Sequence, residues 1–182
     1  MGHREDLLEG AKRCLIERGY SNTSARDIVA VSNTNLGSIG YHYGTKDKLL
    51  LRAMVELSGE VAEEVMAVDA QAEGAHERLR AFWEGMIASF RQRPELWRAN
   101  LEILSRSLHD EELRSELAKN QERARVGLGV HFAPGDAESE RAAGAVQLAL
   151  IMGVMTQHLV DPDRAPGPDA IVDALHAIAA AN

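Results

Sequence analysis

The chain has 182 residues, 45% apolar and 26% charged, with a formal net charge of −8, a balance ordinary for a soluble globular protein with a real core. A single cysteine, Cys14, excludes an internal disulfide and suits a reducing, cytoplasmic setting. The polar opening residues carry no signal segment, and the longest unbroken apolar run, Leu148–Met155, is too short to span a bilayer, so no membrane association is expected.

Few aromatics and five prolines favour helix throughout, and no strand pattern or internal repeat is visible. Arg4 to Arg18 reads as the first helix. Leu8, Ala11, Leu15 and Ile16 recur at helical spacing and are expected to face inward. Gly19 stops it, and Tyr20 folds back. Cys14 reads as an apolar packer rather than a redox group. Ser24 to Val31 is a short second helix with Ile28 and Val31 toward the core. Ser32 to Asn35 is a turn in which Asn33 takes the left-handed conformation and Asn35 caps the third helix, Leu36 to Tyr43. Two helices joined by such a turn make a helix-turn-helix, whose second helix enters the DNA major groove.

Thr45 can cap the next helix, which runs to about Ala67 with Leu49, Leu50, Ala53, Met54, Leu57, Val61 and Val65 inward. Lys46 at its start opposes the helix dipole, which points to an external anion such as phosphate. Further helices are expected over Ala75 to Arg93, Glu95 to Leu108, from Ser107 or Asp110 to about Val130, Glu138 to Val160, and Asp169 to Ala181. The fold class is therefore all-α, with about nine helices.

Charge is unevenly spread. Residues 1–52 hold eight Lys and Arg against six Asp and Glu, a net +2, which leaves −10 on the remainder. A mildly basic head on an acidic body fits a groove-binding module carried by a regulatory domain.

The spaced residues Gly19-Tyr20, Thr23, Ile28, Gly37-Ser38-Ile39-Gly40-Tyr41-His42-Tyr43, Thr45-Lys46 and Leu49-Leu50 resemble the N-terminal pattern of the tetracycline-repressor (TetR) family of bacterial transcription regulators. Two positions depart from it. Gly40 stands where the family usually has Tyr, and Asn33 where it usually has Gly. The resemblance implies a DNA-binding head over residues 1–50 and an effector-binding and dimerisation body over 51–182. It implies DNA contacts at Arg26, Asn35, Leu36, Ser38, Tyr41, His42 and Lys46, with either a close backbone approach at Gly40 or less affinity from that helix. Asn35 can read adenine only if it is not used as a cap. A metal at His42 lacks partners at ligand spacing, and no cofactor is implied.

In the body, Trp83, Met86, Phe90, Trp97, Leu101, Leu104, Met152 and Met155 are bulky apolar residues suited to an effector pocket for a small, mostly apolar molecule, although such stripes also read as plain core. Ala142 to Met155 is apolar nearly all round and needs cover on both sides. With the last helix it is expected to form a homodimer interface through Val146, Leu150, Val154, Ile171, Leu175 and Ile178. The function implied is a homodimeric regulator of a palindromic double-stranded DNA operator, a repressor released by its ligand. A corepressor-dependent regulator is the alternative, as is a helical carrier or adaptor with a vestigial head. No nucleophile–base pair or metal cluster marks an enzyme.

Overall fold

Short polar side chains set many of the helix ends. The computed structural model describes residues 3–181, and among them are nine helices: α1 (His3–Arg18), α2 (Ala25–Ser32), α3 (Leu36–Tyr43), α4 (Lys46–Asp69), α5 (Ala75–Gln92), α6 (Pro94–Ser107), α7 (Glu111–Phe132), α8 (Ala137–Val160) and α9 (Pro168–Ala180). No strand occurs among the described residues, so the all-α reading holds. Ser24 and Asp27 close a reciprocal capping box at the start of α2. Asp110 caps α7 through the Leu113 N–H. Gly19, at φ 75°, ends α1 in a conformation that glycine adopts without strain.

Backbone proximity divides the chain into two units. The first joins Met1–Ser58 to Glu95–Leu148, and the second joins Gly59–Pro94 to Ala149–Asn182. In the first unit, Leu7, Ala11, Cys14, Leu15, Ile28, Leu49 and Leu50 are fully buried. The inner face of α1 is thus set by Leu7 and Cys14 together with Ala11 and Leu15. Ile16, expected inside, is 53% exposed. The stripe is rotated because α1 packs against α2 through Gly10, where a Cβ would lie 2.7 Å from Ser32 Cβ. Burial also pushes the Cys14 thiol above its ordinary pKa, which makes it a poor nucleophile.

Helices α7 and α8 cross at backbone distance within this unit. A Cβ on Gly144 would overlap the Arg125 carbonyl, and one on Gly129 would overlap the Glu140 carbonyl. Gly144, within the Ala142–Met155 stretch expected to need cover on both sides, thus serves packing inside the chain. In the second unit, Phe82, Trp83, Met86, Ile87 and Phe90 of α5 are buried with Ile151, Val154, Met155, Ile171 and Val172. Arg80 Nε donates to Asp169 Oδ1 at 2.8 Å, and the rings of His76 and His176 stack at 5.3 Å, so α9 lies along α5.

By length and composition α8 is long and apolar enough to cross a membrane, a possibility that the length of its unbroken apolar run did not reveal. Only 28% of its most apolar stretch is buried. Ala142, Val146, Ala149, Gly153, Gln157 and Val160 form an exposed stripe at three- and four-residue spacing.

Candidate nucleic-acid interface

The turn between α2 and α3 is held by its own side chains. Asn33 sits at φ 52°, ψ 42°, and its N–H donates to the Val29 carbonyl. The Thr34 N–H reaches the same oxygen at 3.1 Å. Asn tolerates this left-handed region better than most residues, so the departure at Asn33 leaves the turn intact. Asn35 Oδ1 accepts the Ser38 N–H at 3.1 Å and caps α3. That oxygen is committed, so a two-bond reading of adenine by Asn35 is incompatible with the cap. At α2, hydrogen bonds from the Ser24 hydroxyl and backbone N–H hold the Asp27 carboxyl below its usual pKa, and Arg18 adds to the effect.

The outer face of α3 is open. Leu36 is 51% and Tyr41 86% exposed, and Asn35, Gly37 and Gly40 are exposed as well. Ser38 and His42 are half-buried, and the Tyr41 and His42 rings meet edge to face at 4.8 Å. A Cβ at Gly40 would meet nothing within 4 Å. The opposite face carries Ile39 into the core, while Tyr43 is half-buried and its hydroxyl donates to the Arg4 carbonyl at 2.8 Å.

The head's cations are mostly committed to the protein itself. Lys12 pairs with Glu9 and Glu56, Arg18 with Asp27, Lys48 with Glu112, and Arg52 with Glu56. Arg13 donates to the Val31 carbonyl at 2.7 Å, and the Arg4 guanidinium lies 6.0 Å from the centre of the Tyr43 ring. Lys46 corrects the sequence argument. Its Nζ donates to the Thr23 carbonyl at 3.0 Å and lies 5.3 Å from the centre of the Tyr20 ring. Its position at a helix start is explained from within, so it no longer argues for an external anion. Arg26 differs: it is exposed, and among the described residues it has no hydrogen bond, ion pair or ring contact.

The loop before α2 is anchored on both sides. The Thr23 hydroxyl donates to the Gly19 carbonyl at 2.6 Å, Lys46 holds the Thr23 carbonyl, and both Ser21 N–H and hydroxyl donate to Glu102 Oε2 at 2.9 and 2.6 Å. Arg106 meets Asp47 at 3.4 Å. Sequence reasoning missed Glu102 and Arg106, because partners more than fifty residues apart leave no local signal.

Two family models match the chain: bacterial regulatory proteins of the tetR family over residues 7–53, and the BetI-type transcriptional repressor C-terminal region over residues 75–181. The chain belongs to the tetR family. Its C-terminal region is of the BetI transcriptional-repressor type. It is 37% identical over 62 residues to the transcriptional repressor AcnR of Corynebacterium efficiens, which covers 34% of this chain and 33% of that protein. The match thus spans about a third of that curated relative. It is 27% identical to the regulator BetI of Agrobacterium fabrum over 158 residues, 85% of this chain and 76% of that one. Among solved structures, the multidrug binding protein EbrR complexed with proflavin shares the fold, with a TM-score of 0.67 at 21% identity over 97% of this chain and 99% of that one.

The residues expected to line an effector pocket divide between the units. Trp83, Met86, Phe90, Met152 and Met155 belong to the second, and Trp97, Leu101 and Leu104 to the first. Trp83, Met86, Phe90, Trp97 and Met155 are buried, and Leu101, Leu104 and Met152 half-buried. The second unit has a cleft of about 300 Å³ between α4 and α5 at Val61, Val65, Val68, Ala81, Gly85 and Ala88. Another, of about 270 Å³, lies at Thr156, Gln157, Val160, Asp161, Arg164 and Ala165. None of the eight expected residues lines either cleft.

Of the expected interface residues, Val146 is 60% and Ile178 66% exposed, Leu150 and Leu175 are half-buried, and Val154 and Ile171 are buried within the chain. Val154 and Ile171 are therefore packed against this chain's own core, and the open face of α8 runs instead through Ala142, Val146, Ala149, Gly153 and Val160.

Proposed function

We propose that the chain acts in the cytoplasm as a homodimeric repressor of a palindromic operator, released when a small, mostly apolar effector binds its body. In this reading residues 1–50 are the DNA-binding head and 51–182 the regulatory body. The outer face of α3 enters the major groove, with Leu36 and Ser38 toward base edges and Gly40 at the backbone. Tyr41, His42 and Arg26 grip phosphates. The observation that carries the reading is Arg26, exposed and unpaired at the start of α2, beside a recognition helix whose outer face is open.

Asn35 contributes its remaining amide donor. Lys46 acts mainly by fixing the loop before α2, so its loss is felt through the head's geometry. Because most head cations are already paired, affinity falls with salt less steeply than eight free cations would require, at about −0.9 in log–log slope for each phosphate neutralised. The open stripe on α8, with Ile178 of α9, is the surface two copies share. Effector binding is assigned to the second unit, around Trp83, Met86, Phe90, Met152 and Met155. Release follows if the effector binds the DNA-incompetent state more tightly.

A gel shift with DNA upstream of the chain's own gene tests this. Arg26→Ala and Tyr41→Ala are expected to weaken binding to all sequences, and Ser38→Ala to change preference among sequences. Unchanged binding by all three would reject the interface. Effector that tightens operator binding would make the protein corepressor-dependent. A light-scattering mass of one chain, unaltered by Val146→Glu, would remove the dimer.

A further inference from the structure

Within the first unit, α6 lays one row of residues along the loop that leads into α2. Glu95, Ala99, Glu102 and Arg106 follow one another at four-, three- and four-residue spacing, so they share one face of the helix. Glu95 Oε2 would lie 3.3 Å from a Cβ on Gly19, where the loop begins. Ala99 is fully buried. Glu102 Oε2 accepts the Ser21 N–H at 2.9 Å and the Ser21 hydroxyl at 2.6 Å. Arg106 Nε lies 3.4 Å from Asp47 Oδ2 at the start of α4.

The loop carries this hold onward to α2. Thr23 is tied from inside the head, through the Gly19 carbonyl and Lys46. Ser24 closes the capping box of α2, and Arg26 is the second residue of that helix. Ser21 is exposed, and its two donors end on a single carboxylate oxygen. Hydrogen bonds to an ionised acceptor are stronger than neutral ones, by roughly a factor of two. The same carboxylate repels a polyanion such as DNA. The charge of Glu102 and its bonds to Ser21 therefore act on DNA binding with opposite signs, which makes them separable.

We infer that Glu102 is a positioning residue for DNA binding. It fixes the loop before α2, and with it the end of α2 that carries Arg26, without itself touching DNA. This rests on the proposed interface. Freed from Glu102, the loop samples arrangements in which Arg26 is out of reach of a phosphate. The apparent Kd then rises as the binding-competent fraction falls.

Fluorescence anisotropy of the full chain on a labelled, mixed-sequence DNA duplex at low salt tests it, because phosphate contacts need no particular operator. Glu102→Ala is expected to weaken binding about tenfold, although it removes a negative charge. Glu102→Gln drops the charge and keeps an oxygen acceptor, so it is expected to bind at least as tightly as the unaltered chain. Ser21→Ala keeps the N–H bond and is expected to weaken binding about threefold. In a double-mutant cycle, Arg26→Ala is expected to cost less in the Glu102→Ala background than alone. Should Glu102→Ala fail to fold by circular dichroism, Glu102→Asp serves in its place, since it keeps the charge but falls one methylene short of Ser21. Unchanged or tighter binding by Glu102→Ala, equal weakening by Glu102→Gln, or an additive cycle would overturn the inference and leave the interface standing. Arg26→Ala that binds like the unaltered chain would overturn the interface and the inference together.

Discussion

The α2–turn–α3 motif and the α7–α8 crossing join helices in opposite ways. In the motif, each short helix is fixed by a side chain that meets a free backbone group: Ser24 with Asp27, Asn33 in the left-handed region, and Asn35 on the Ser38 N–H. At the crossing there is no such side chain, and Gly129 and Gly144 let one backbone lie against another. Eight-residue helices gain too little from their own hydrogen bonds to stand without caps. Helices of 22 and 24 residues are capped as well, by Asp110 and Asp136, but their mutual position is set by what is missing from the side chain. The motif spends polar chemistry on precision, whereas the crossing depends on excluded volume.

Substitutions separate the two modes. Gly144→Val is expected to have the largest effect, about 3 kcal/mol or more of lost stability in chemical denaturation, because the added atoms meet backbone that cannot turn aside. Gly10→Ala, at the α1–α2 contact, is expected to cost about 2 kcal/mol by the same measurement, since Ser32 Cβ and the α2 backbone beside it can move only as the two helices part. Asn35→Ala removes a cap and is expected to cost about 1 kcal/mol, while Asn35→Asp retains most of it. Gly40→Ala is expected to stabilise the head by about 0.5 to 1 kcal/mol, because its Cβ meets open space inside a helix.

The smallest effect is one of pH. The Asp27 carboxyl is held below its ordinary pKa, so its contribution is present above the ordinary carboxylate range and is lost as pH falls through the folded value. Ser24→Ala should flatten the acid limb of the head's stability curve. A curve unchanged by Ser24→Ala would show that the capping box contributes nothing.

What could be read in the chain follows the same division. Asn33, Asn35 and Thr45 act on backbone groups within a few residues, so their roles are visible in sequence, and the structure has each in place. The nine helices among the described residues follow from periodicity and breakers. The partners of Lys46 were not visible, because a backbone carbonyl and a ring more than twenty residues away left no trace in the pattern around it. Ile16 was placed inside because its spacing permits either face, and Gly10 settles which face packs. The apolar stretch Ala142–Met155 needs cover on both sides, but its pattern does not say from which helix. Gly144 faces α7, while Ala149 and Gly153 remain open.

Gly40 leaves an unfilled place on the open face of α3. Because a Cβ there would meet nothing within 4 Å, a small side chain such as alanine can be installed without repacking the head. Under the proposed interface, a single codon change there alters what the head presents to DNA while the rest of the molecule folds as before, which gives duplicated copies of such a gene an easy route to divergence.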